Sequence, residues 1–457
     1  MKVCIIQRKG IEESPVICDL SSVLIQEGCE TFLLIQAYEK DLFQTIKKMG
    51  VDVLAVQSEI GDEQWVRDMT SEIKYNFPRT PVVSFGSIPT FMQKKSNLGA
   101  DFLVVGEPEI PFVSIVNYLK GTNNELINVI DMNNGEHANI QPLEFDLNSL
   151  PMPDRDIYYR RYKFLRDFPV KRFLMSRGCV LSCSFCYISA LRNLLGKVKV
   201  RFKAPERVIQ EVLDVKNKYR LDFVHFSDDL FPVWNKSWLE KFSSLWSKEV
   251  RLPFSIVTLS NFINDRVAEL LKEAGCKFVI VGVETYDEKR RIVDLEKTSV
   301  TNSVLIGAVD SLRKKGIRTL SINIIGLPGE DLSDYFKTAE FNRTIGVDFA
   351  LGSPFVPIPG TILGDKLAGH QYDSEKKKIL YYVMDVFPLA SKNKTFQVLS
   401  MRAHKNPILS FLFSKIGQVY SLLKLKTLYN VSFLEGFKYF MKVGTFKDRR
   451  TNLHQVA

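Results

Sequence analysis

Short apolar runs alternate with longer amphipathic stretches over roughly the first 120 residues. The apolar runs predict five strands, at residues 3–6, 31–35, 51–56, 81–85 and 102–105. Each run is followed by residues compatible with a helix, as at 64–75 and 111–119. Strands that alternate with helices predict a parallel, doubly wound sheet, and such sheets bind ligands at the carboxyl ends of their strands.

A second alternation of strands and helices begins near residue 173. Its candidate strands are 173–175, 223–226, 254–259, 278–283, 320–325 and 349–355. Six such units predict a partial (β/α)6 barrel of the TIM type, with its chemistry at the C-terminal ends of the strands. The sequence thus predicts an α/β protein with a Rossmann-like domain (1–125), a polar linker (126–168), the barrel (169–365) and a helical, basic C-terminal region (366–457).

Composition places the chain among ordinary globular proteins, with 45% hydrophobic and 25% charged residues in a length of 457. No uninterrupted apolar stretch approaches the roughly 18 residues that span a bilayer, and the first apolar run is too short for a signal peptide. We therefore expect a cytoplasmic protein. Three of the seven cysteines cluster, and the other four (Cys4, Cys18, Cys29 and Cys276) are expected to be buried rather than disulfide-bonded.

The net charge of +10 is concentrated near the C-terminus, where residues 401–450 hold ten Lys or Arg and two acidic residues. One interpretation is a set of solvated helix faces. The other is an anionic partner, either a phosphorylated substrate or a membrane surface. Nucleic acid is not expected, because no nucleic-acid-reading motif accompanies the charge.

The strongest chemical signal is Cys179-Val-Leu-Ser-Cys183-Ser-Phe-Cys186, directly after the first barrel strand. Three thiolates on one loop can bind three corners of a cubane cluster and leave the fourth iron open. Soft sulfur ligands also suit zinc, but a structural zinc site needs a fourth Cys or His nearby. The next candidates along the chain are His225 and Cys276, which are distant in sequence.

This loop resembles the radical SAM (S-adenosylmethionine) superfamily, whose hallmark is CxxxCxxC with an aromatic residue, here Phe185, before the third cysteine. The resemblance implies a [4Fe–4S] cluster on Cys179, Cys183 and Cys186. It also implies SAM bound at the open iron and cleaved to a 5′-deoxyadenosyl radical. A one-electron reductant of the flavodoxin or ferredoxin type is then implied as a partner.

Residues at three further strand ends match the same family. Asp228 and Asp229 follow the second barrel strand, where the family holds the SAM amino group, although the usual Gly-Gly-Glu is replaced here by Ser-Asp-Asp. Glu284 ends the fourth strand and resembles a polar residue close to SAM. Gly326 follows the fifth strand, where family glycines let the backbone approach the adenine.

The first domain is similar to the cobalamin-binding domain fused to many radical SAM enzymes, through residues 82–87 and 99–109. That similarity implies a cobalamin site formed by Gln57, Ser58, Gly86, Ser87, Gly106 and Glu107. The chain has no histidine before His137, so cobalamin would bind without histidine ligation. Water or a side chain such as Gln57 or Ser58 would then face the cobalt. A domain that keeps the fold without the cofactor is the alternative.

The resemblance implies a cobalamin-dependent C-methyltransferase that methylates an unactivated carbon of a small natural product or lipid-like substrate, through a 5′-deoxyadenosyl radical and methylcobalamin. The alternative is a radical cyclase, rearrangement or oxidation enzyme without methyl transfer. A non-catalytic sensor is disfavoured because it has no need of the carboxylates in the SAM cleft. No catalytic residue is assigned from the sequence. The C-terminal region is hypothesised to cap the barrel and shape substrate access.

Overall fold

The computed structural model describes residues 1–10, 12–134, 139–143, 145–196, 198–367 and 374–429. The chain divides into two compact units. The first comprises Met1–Asp167, Cys186–Lys199 and Ile358–Thr361, and the second comprises Phe168–Phe185, Val200–Pro357 and Ile362–Ala457. Each unit contains one six-stranded sheet with helices, which confirms the predicted α/β class.

The first sheet has the strand order β2-β1-β3-β4-β5-β6. Its strands are β1 (Lys2–Gln7), β2 (Glu30–Ile35), β3 (Val53–Gln57), β4 (Val82–Phe85), β5 (Phe102–Val104) and β6 (Val129–Asp131). The helices of this unit are α1 (Pro15–Gln26), α2 (Leu42–Met49), α3 (Glu63–Asn76), α4 (Ser87–Met92), α5 (Glu109–Lys120), α6 (Asp156–Tyr159), α7 (Lys163–Asp167) and α8 (Tyr187–Leu195). Strands β1 to β5 are parallel and mostly buried on both faces, which explains their continuous apolar runs.

The structure differs from the prediction over the linker at 126–168. Strand β6 pairs antiparallel with β5, so this segment extends the first sheet. A buried ion pair also joins it to the unit, with Arg155 Nη1 at 3.0 Å from Glu13 Oε1. Strand β6 has only three residues and lies between asparagine-rich turns. The sequence did not predict it, because so short an apolar run has no detectable periodicity.

The second sheet has the order β14-β13-β12-β11-β10-β7 and is parallel throughout. Its strands are β7 (Val170–Phe173), β10 (Phe223–Phe226), β11 (Phe254–Val257), β12 (Cys276–Glu284), β13 (Arg318–Ile325) and β14 (Phe349–Pro354). A separate antiparallel pair is formed by β8 (Ser176–Arg177) and β9 (Arg201–Phe202). Six parallel strands in sequential order confirm the predicted partial barrel.

The helices of the second unit cover its sheet and continue into the C-terminal region. They are α9 (Pro205–Lys218), α10 (Lys236–Leu245), α11 (Asp265–Ala274), α12 (Glu288–Val293), α13 (Asn302–Lys314), α14 (Leu332–Ile345), α15 (Ile362–Lys366), α16 (Ser374–Ala390), α17 (Lys394–Ala403) and α18 (Pro407–Tyr429). Val224 and Phe226 lie in the core between sheet and helices, whereas Phe223 and Phe278 belong to a second cluster with the end of α18.

The end of α18 packs at the N-terminal ends of the barrel strands. The Tyr429 ring lies 5.2 Å from the Phe223 ring and 5.4 Å from the Phe278 ring, centroid to centroid. The Arg318 guanidinium donates to the Thr427 carbonyl oxygen at 3.3 Å. These contacts lie away from the C-terminal strand ends, where chemistry is expected. The hypothesis of a cap over substrate access stays a prediction, and residues 430–457 lie outside the described chain.

None of the seven cysteines, all of which lie within the described residues, forms a disulfide. Cys4, Cys18, Cys29 and Cys276 are buried, as the sequence predicted. Burial raises the pKa of the Cys18 thiol well above its ordinary value. These four residues therefore behave as small hydrophobic side chains rather than reactive groups.

Candidate active site and cofactor-binding residues

The three clustered cysteines lie on the loop between β8 and α8. Cys183 is buried, and Cys179 and Cys186 are half-buried. Burial raises the pKa of Cys183 to about 11, and the nearby Lys297 ammonium opposes this by favouring the thiolate. Among the described residues, no three His, Cys, Asp or Glu side chains are grouped to hold one metal ion. A cubane cluster needs no such convergence, because each cysteine binds a different iron.

Asp228 and Asp229 bind the backbone that leads into the cysteine loop. Asp228 Oδ1 accepts from the N–H groups of Met175 at 2.8 Å and Ser176 at 2.6 Å. Asp229 Oδ2 accepts from the Gly178 N–H at 2.8 Å. Burial raises the pKa of Asp228 to about 7. Its Oδ2 is buried without a hydrogen-bond partner in the described chain, so this oxygen is the one left for the predicted SAM contact.

Phe185, the predicted aromatic residue of the loop, packs in an apolar cluster with the buried Leu295 and Leu327. The preceding Ser184 binds the same segment through two hydrogen bonds. Its N–H donates to the Leu295 carbonyl oxygen at 3.1 Å, and its Oγ donates to the Asp294 carbonyl oxygen at 2.6 Å. The residues that follow Cys183 are thus fixed to the chain after α12.

A buried ion pair occupies the end of β12. Glu284 Oε1 lies 2.6 Å from Lys297 Nζ, which also donates to the Gly282 carbonyl oxygen at 3.0 Å. Glu284 has φ +66°, a left-handed conformation that is rare for residues other than glycine. A Cβ on Gly282 would lie 2.2 Å from Glu284 Oε1 and 2.4 Å from Lys297 Nζ. Gly282 therefore leaves the space that the ion pair fills, and the backbone strain marks a constrained site.

The substitution Lys297→Met should destabilise the protein by about 3–5 kcal/mol, because it leaves the buried Glu284 carboxylate without its counter-charge. The free energy of unfolding of the cofactor-free protein, measured in urea, tests this. The matched control is Lys337→Met, which breaks the half-exposed pair with Asp334 and should cost less than about 1 kcal/mol. Equal losses of unfolding free energy in the two variants would show that the buried pair contributes no more to stability than the half-exposed one.

The turn after β13 is held together by a buried carboxylate. Glu330 accepts from the Leu327 N–H at 3.0 Å and lies 3.8 Å from the Arg290 guanidinium. Arg290 also donates to the Pro328 carbonyl oxygen. Gly326 opens this turn with φ +90°, which favours glycine. The structure thus places Gly326 in a fixed turn at the strand end, and its predicted approach to the adenine stays a prediction.

Glu330→Gln should change how stability depends on pH. Burial raises the pKa of Glu330 from 4.5 to about 7. Because the folded-state pKa is the higher one, this group's contribution is fully present below about pH 4.5 and is lost as the pH rises through about 7, by roughly 3 kcal/mol at most. Asp228 titrates in both proteins and cancels in their difference. Urea unfolding at acidic and alkaline pH should show wild type weakening relative to the variant, and parallel profiles would contradict this.

Polar side chains form a chain of hydrogen bonds at the carboxyl ends of the first sheet. Gln7 Nε2 donates to Gln57 Oε1 at 2.6 Å, and Gln57 Nε2 donates to Glu59 Oε1 at 3.1 Å. Ser87 Oγ donates to Glu59 Oε2 at 2.6 Å. The ends of β1 and β3 meet here, where the strand order reverses, and doubly wound sheets bind ligands at this point. Burial raises the pKa of Glu59.

Gly86 and Ser58 adjoin this chain of hydrogen bonds, and the Ser58 hydroxyl is bonded within the core instead. Gly86 has φ +118°, and a Cβ there would lie 2.8 Å from the Ser58 carbonyl oxygen and 2.9 Å from Glu59 Oε1. The Ser58 hydroxyl is fully buried and lies 2.7 Å from Ser84 Oγ. Of the two side chains predicted to face cobalt, Gln57 therefore lies at the strand ends and Ser58 is turned into the core.

Gly106 and Glu107 lie in the turn between β5 and α5. The Gly106 N–H donates to Thr90 Oγ1 at 3.0 Å, and a Cβ on Gly106 would lie 3.1 Å from Leu195 Cδ1. Glu107 is half-buried in the same turn. Their predicted contact with cobalamin stays a prediction.

The family model that matches the chain is the radical SAM superfamily, over residues 173–341. This segment contains the cysteine loop, Asp228, Asp229, Glu284 and Gly326. The chain is a radical SAM enzyme. Its cofactors include a [4Fe–4S] cluster and SAM, which fit the three clustered cysteines and the Asp228 Oδ2 atom beside the loop.

Relatives of this radical SAM enzyme include proteins that are named as methyltransferases. It is 28% identical over 335 residues to an uncharacterized methyltransferase of Pyrococcus horikoshii, with 71% of each chain covered. It is 21% identical over 394 residues to cytidylyl-2-hydroxyethylphosphonate methyltransferase of Streptomyces wedmorensis, with 74% of this chain and 70% of the relative covered. These matches support the predicted methyltransferase-like family.

A solved structure with the same fold is TsrM of Kitasatospora setae, a radical SAM methyltransferase with cobalamin and a [4Fe–4S] cluster bound. The TM-score is 0.64 at 16% identity, with 82% of this chain and 79% of TsrM covered. The likeness confirms the predicted combination of a doubly wound domain, a partial barrel and a helical C-terminal region.

Three residues of the site were not selected from the sequence. Glu59 joins Gln57 to Ser87, Lys297 neutralises Glu284, and Glu330 organises the turn at Gly326. Glu59 and Glu330 lie in segments that the sequence predicts as strand ends. A charged residue next to a predicted site was the signal that could have identified them. Lys297 follows Glu284 by 13 residues, a spacing that carries no motif.

Proposed function

We propose that this radical SAM enzyme is a cobalamin-dependent C-methyltransferase that acts on an unactivated carbon of a small molecule. The observation that carries the proposal is that one chain contains both the cysteine loop of a partial barrel and a doubly wound domain with polar side chains at its switch point. Gly86 supports this assignment, because its missing side chain lets the chain after β4 pack closely against Ser58 and Glu59 at the same strand ends. The relatives that are named as methyltransferases also support methyl transfer.

The proposed cofactor sites follow the three groups of residues described above. Cys179, Cys183 and Cys186 would hold the cluster, and Phe185, Asp228, Asp229, Glu284 and Gly326 would surround SAM. Gln57, Gly86, Ser87, Gly106 and Glu107 would line the cobalamin site. When bound, the cluster and SAM supply a hydrogen-abstracting 5′-deoxyadenosyl radical, and cobalamin supplies the methyl group.

The chain's own residues act by fixing positions and charges. Asp228 and Asp229 hold the backbone before Cys179, so the cysteine loop is organised independently of SAM. Lys297 offsets the cost of burying the Glu284 carboxylate and places a cation near Cys183. Gln57 is fixed between Gln7 and Glu59, which orients its amide at the end of β3.

The proposed partners are a small-molecule substrate and a one-electron reductant of the flavodoxin or ferredoxin type, because the cluster must be reduced before SAM is cleaved. Nucleic acid has no part in the proposal. A cytoplasmic location is consistent with seven cysteines that form no disulfide in the described chain, since thiols stay reduced in that compartment.

The function is tested with SAM that carries a trideuterated methyl group. The anaerobically reconstituted enzyme, with hydroxocobalamin and a chemical reductant, is incubated with a small-molecule extract, and products are analysed by mass spectrometry. The proposal predicts a product bearing the trideuteromethyl group, formed together with 5′-deoxyadenosine. A rearranged or oxidised product, with 5′-deoxyadenosine but without the label, would favour the alternative radical reaction and contradict methyl transfer.

A further inference from the structure

Helix α18 packs on the protein through Phe413, Tyr420 and Leu428, and it also presents a second set of large apolar side chains to solvent. Gly417, Gln418 and Ser421 are buried on its inner face. Ile408 is 79% exposed, Phe411 66% and Val419 55%. A helix on the surface of a globular protein normally has charged or polar side chains on its outer face. The outer face of α18 therefore lacks the apolar partner that its composition requires.

The inner face of α18 is fixed by close backbone packing. A Cβ on Gly417 would lie 2.1 Å from the Asp385 carbonyl oxygen of α16, so only glycine permits this approach. Ser421 Oγ donates to the Gly417 carbonyl oxygen at 3.0 Å on the same face. Rotating the helix to bury its apolar side would drive large side chains into this contact. The exposure of the apolar face is thus a consequence of specific packing.

The exposed side chains form a continuous row, which we call the apolar stripe. It consists of Ile408, Leu412, Ile416, Val419 and Leu423, spaced by three or four residues so that they share one helix face. Helix α17 adds exposed apolar side chains at Val398, Leu399 and Met401. Contiguous exposed apolar surface of this kind marks an interaction site rather than ordinary solvent-facing structure.

The charged residues of α17 and α18 have a single sign. Between Lys394 and Tyr429 the sequence contains no Asp or Glu and six Lys or Arg residues, at positions 394, 402, 405, 415, 424 and 426. Arg402, Lys405 and Lys415 are exposed. An apolar helix face flanked by cations matches the boundary between the headgroups and acyl chains of an anionic bilayer. A second copy of the chain would instead bring two cationic surfaces together, which costs free energy.

The contacts of α18 indicate how it would meet a bilayer. By length and composition, α18 is the one described helix apolar enough to cross a membrane, although the sequence analysis expected no such segment. Its inner face, however, packs on α16, and its last turn is held by Arg318 and by the aromatic cluster at the strand ends. A helix fixed in this way can lie on a bilayer but cannot span it without leaving the protein.

We propose that α17 and α18 dock this enzyme onto an anionic membrane surface through the apolar stripe and its flanking cations. The proposal does not depend on methyl transfer, since it concerns a surface outside the cofactor sites. Docking would place the enzyme beside lipid-soluble compounds, so it adds a source of apolar substrate to the proposed function.

The test is flotation of the full chain with vesicles of equal parts phosphatidylcholine and phosphatidylglycerol, or of phosphatidylcholine alone. Wild type should float with the anionic vesicles, less with the neutral ones, and less again at high salt. The variant Leu412→Ser/Val419→Ser should bind the anionic vesicles roughly tenfold or more weakly, because two side chains lose their apolar burial. Lys405→Gln/Lys415→Gln should weaken the preference for anionic vesicles.

The matched control is Ile306→Ser on α13, an exposed apolar position of similar accessibility that should leave flotation unchanged. Iron content and SAM cleavage in solution should be unchanged in all variants, which separates lost docking from lost folding and from failure of the proposed function. Absence of wild-type flotation, or equal flotation of wild type and the stripe variant, would overturn the proposal. So would a wild-type dimer in light scattering that the stripe variant converts to a monomer, since a second copy would then cover the stripe.

Discussion

Replacing Cys179, Cys183 and Cys186 together by alanine should remove the iron and lower the reductive cleavage of SAM by at least about a thousandfold, because no other thiolates are available on the loop to hold the cluster. The measurement is 5′-deoxyadenosine formed per chain after anaerobic reconstitution with iron and sulfide. Folding should survive the change, because the loop is also held by Asp228, Asp229 and Ser184 through backbone contacts.

Cys276→Ala provides the matched control, since it removes a buried thiol that lies on a barrel strand away from the loop. That variant should keep its iron and its SAM cleavage, with a loss of stability only. A triple variant that still binds iron and cleaves SAM would contradict the assignment of the cluster ligands, and so would a Cys276 variant that loses both.

Gly86→Ala should weaken cobalamin binding by about tenfold to a hundredfold and leave the iron content unchanged. The added Cβ would approach the Ser58 carbonyl oxygen to 2.8 Å and press on Glu59, and it would also force an alanine into a φ of +118°. These changes displace the strand end at which Gln57, Glu59 and Ser87 meet. Titration of the cobalamin-free protein with hydroxocobalamin, followed by absorbance, gives the dissociation constant.

Gly121→Ala is the control for Gly86→Ala, because it adds backbone strain without a steric clash. Gly121 also has a positive φ, at +69°, but a Cβ added there would have no described neighbour within 4 Å. It caps the C-terminal end of α5, away from Gln57, Glu59 and Ser87. Its substitution should cost stability and leave cobalamin affinity unaltered. If both alanine variants bound cobalamin as wild type does, the site would have to lie elsewhere than at the switch point of the first sheet.

Much of the fold follows from short apolar runs and from the rule that parallel strands end together. Each predicted barrel strand overlaps an observed one, and the predicted residues Asp228, Glu284 and Gly326 all lie at C-terminal strand ends. Gln57 and Ser87 likewise meet at one sheet edge. These successes depend on local periodicity and topology, which a single sequence contains.

The remaining features depend on pairings that local patterns do not encode. Lys297 pairs with Glu284 at the end of β12, where the register against β13 shifts after Gly282. Ser58 differs from Gln57 by one position, and alternate side chains of an extended chain point to opposite faces, so it turns into the core. The buried face of α18 could not be chosen, because its sequence is apolar almost all round and the deciding contact is the approach of Gly417 to α16.

The presence of both cofactors is tested most directly by measuring iron, cobalt and zinc per chain after anaerobic purification and reconstitution with iron, sulfide and hydroxocobalamin. We expect about four iron and about one cobalt per chain, with zinc absent. Iron without cobalt would contradict the assignment of two cofactors and leave a radical SAM enzyme with an unused first domain. Zinc in place of iron would contradict the cluster itself.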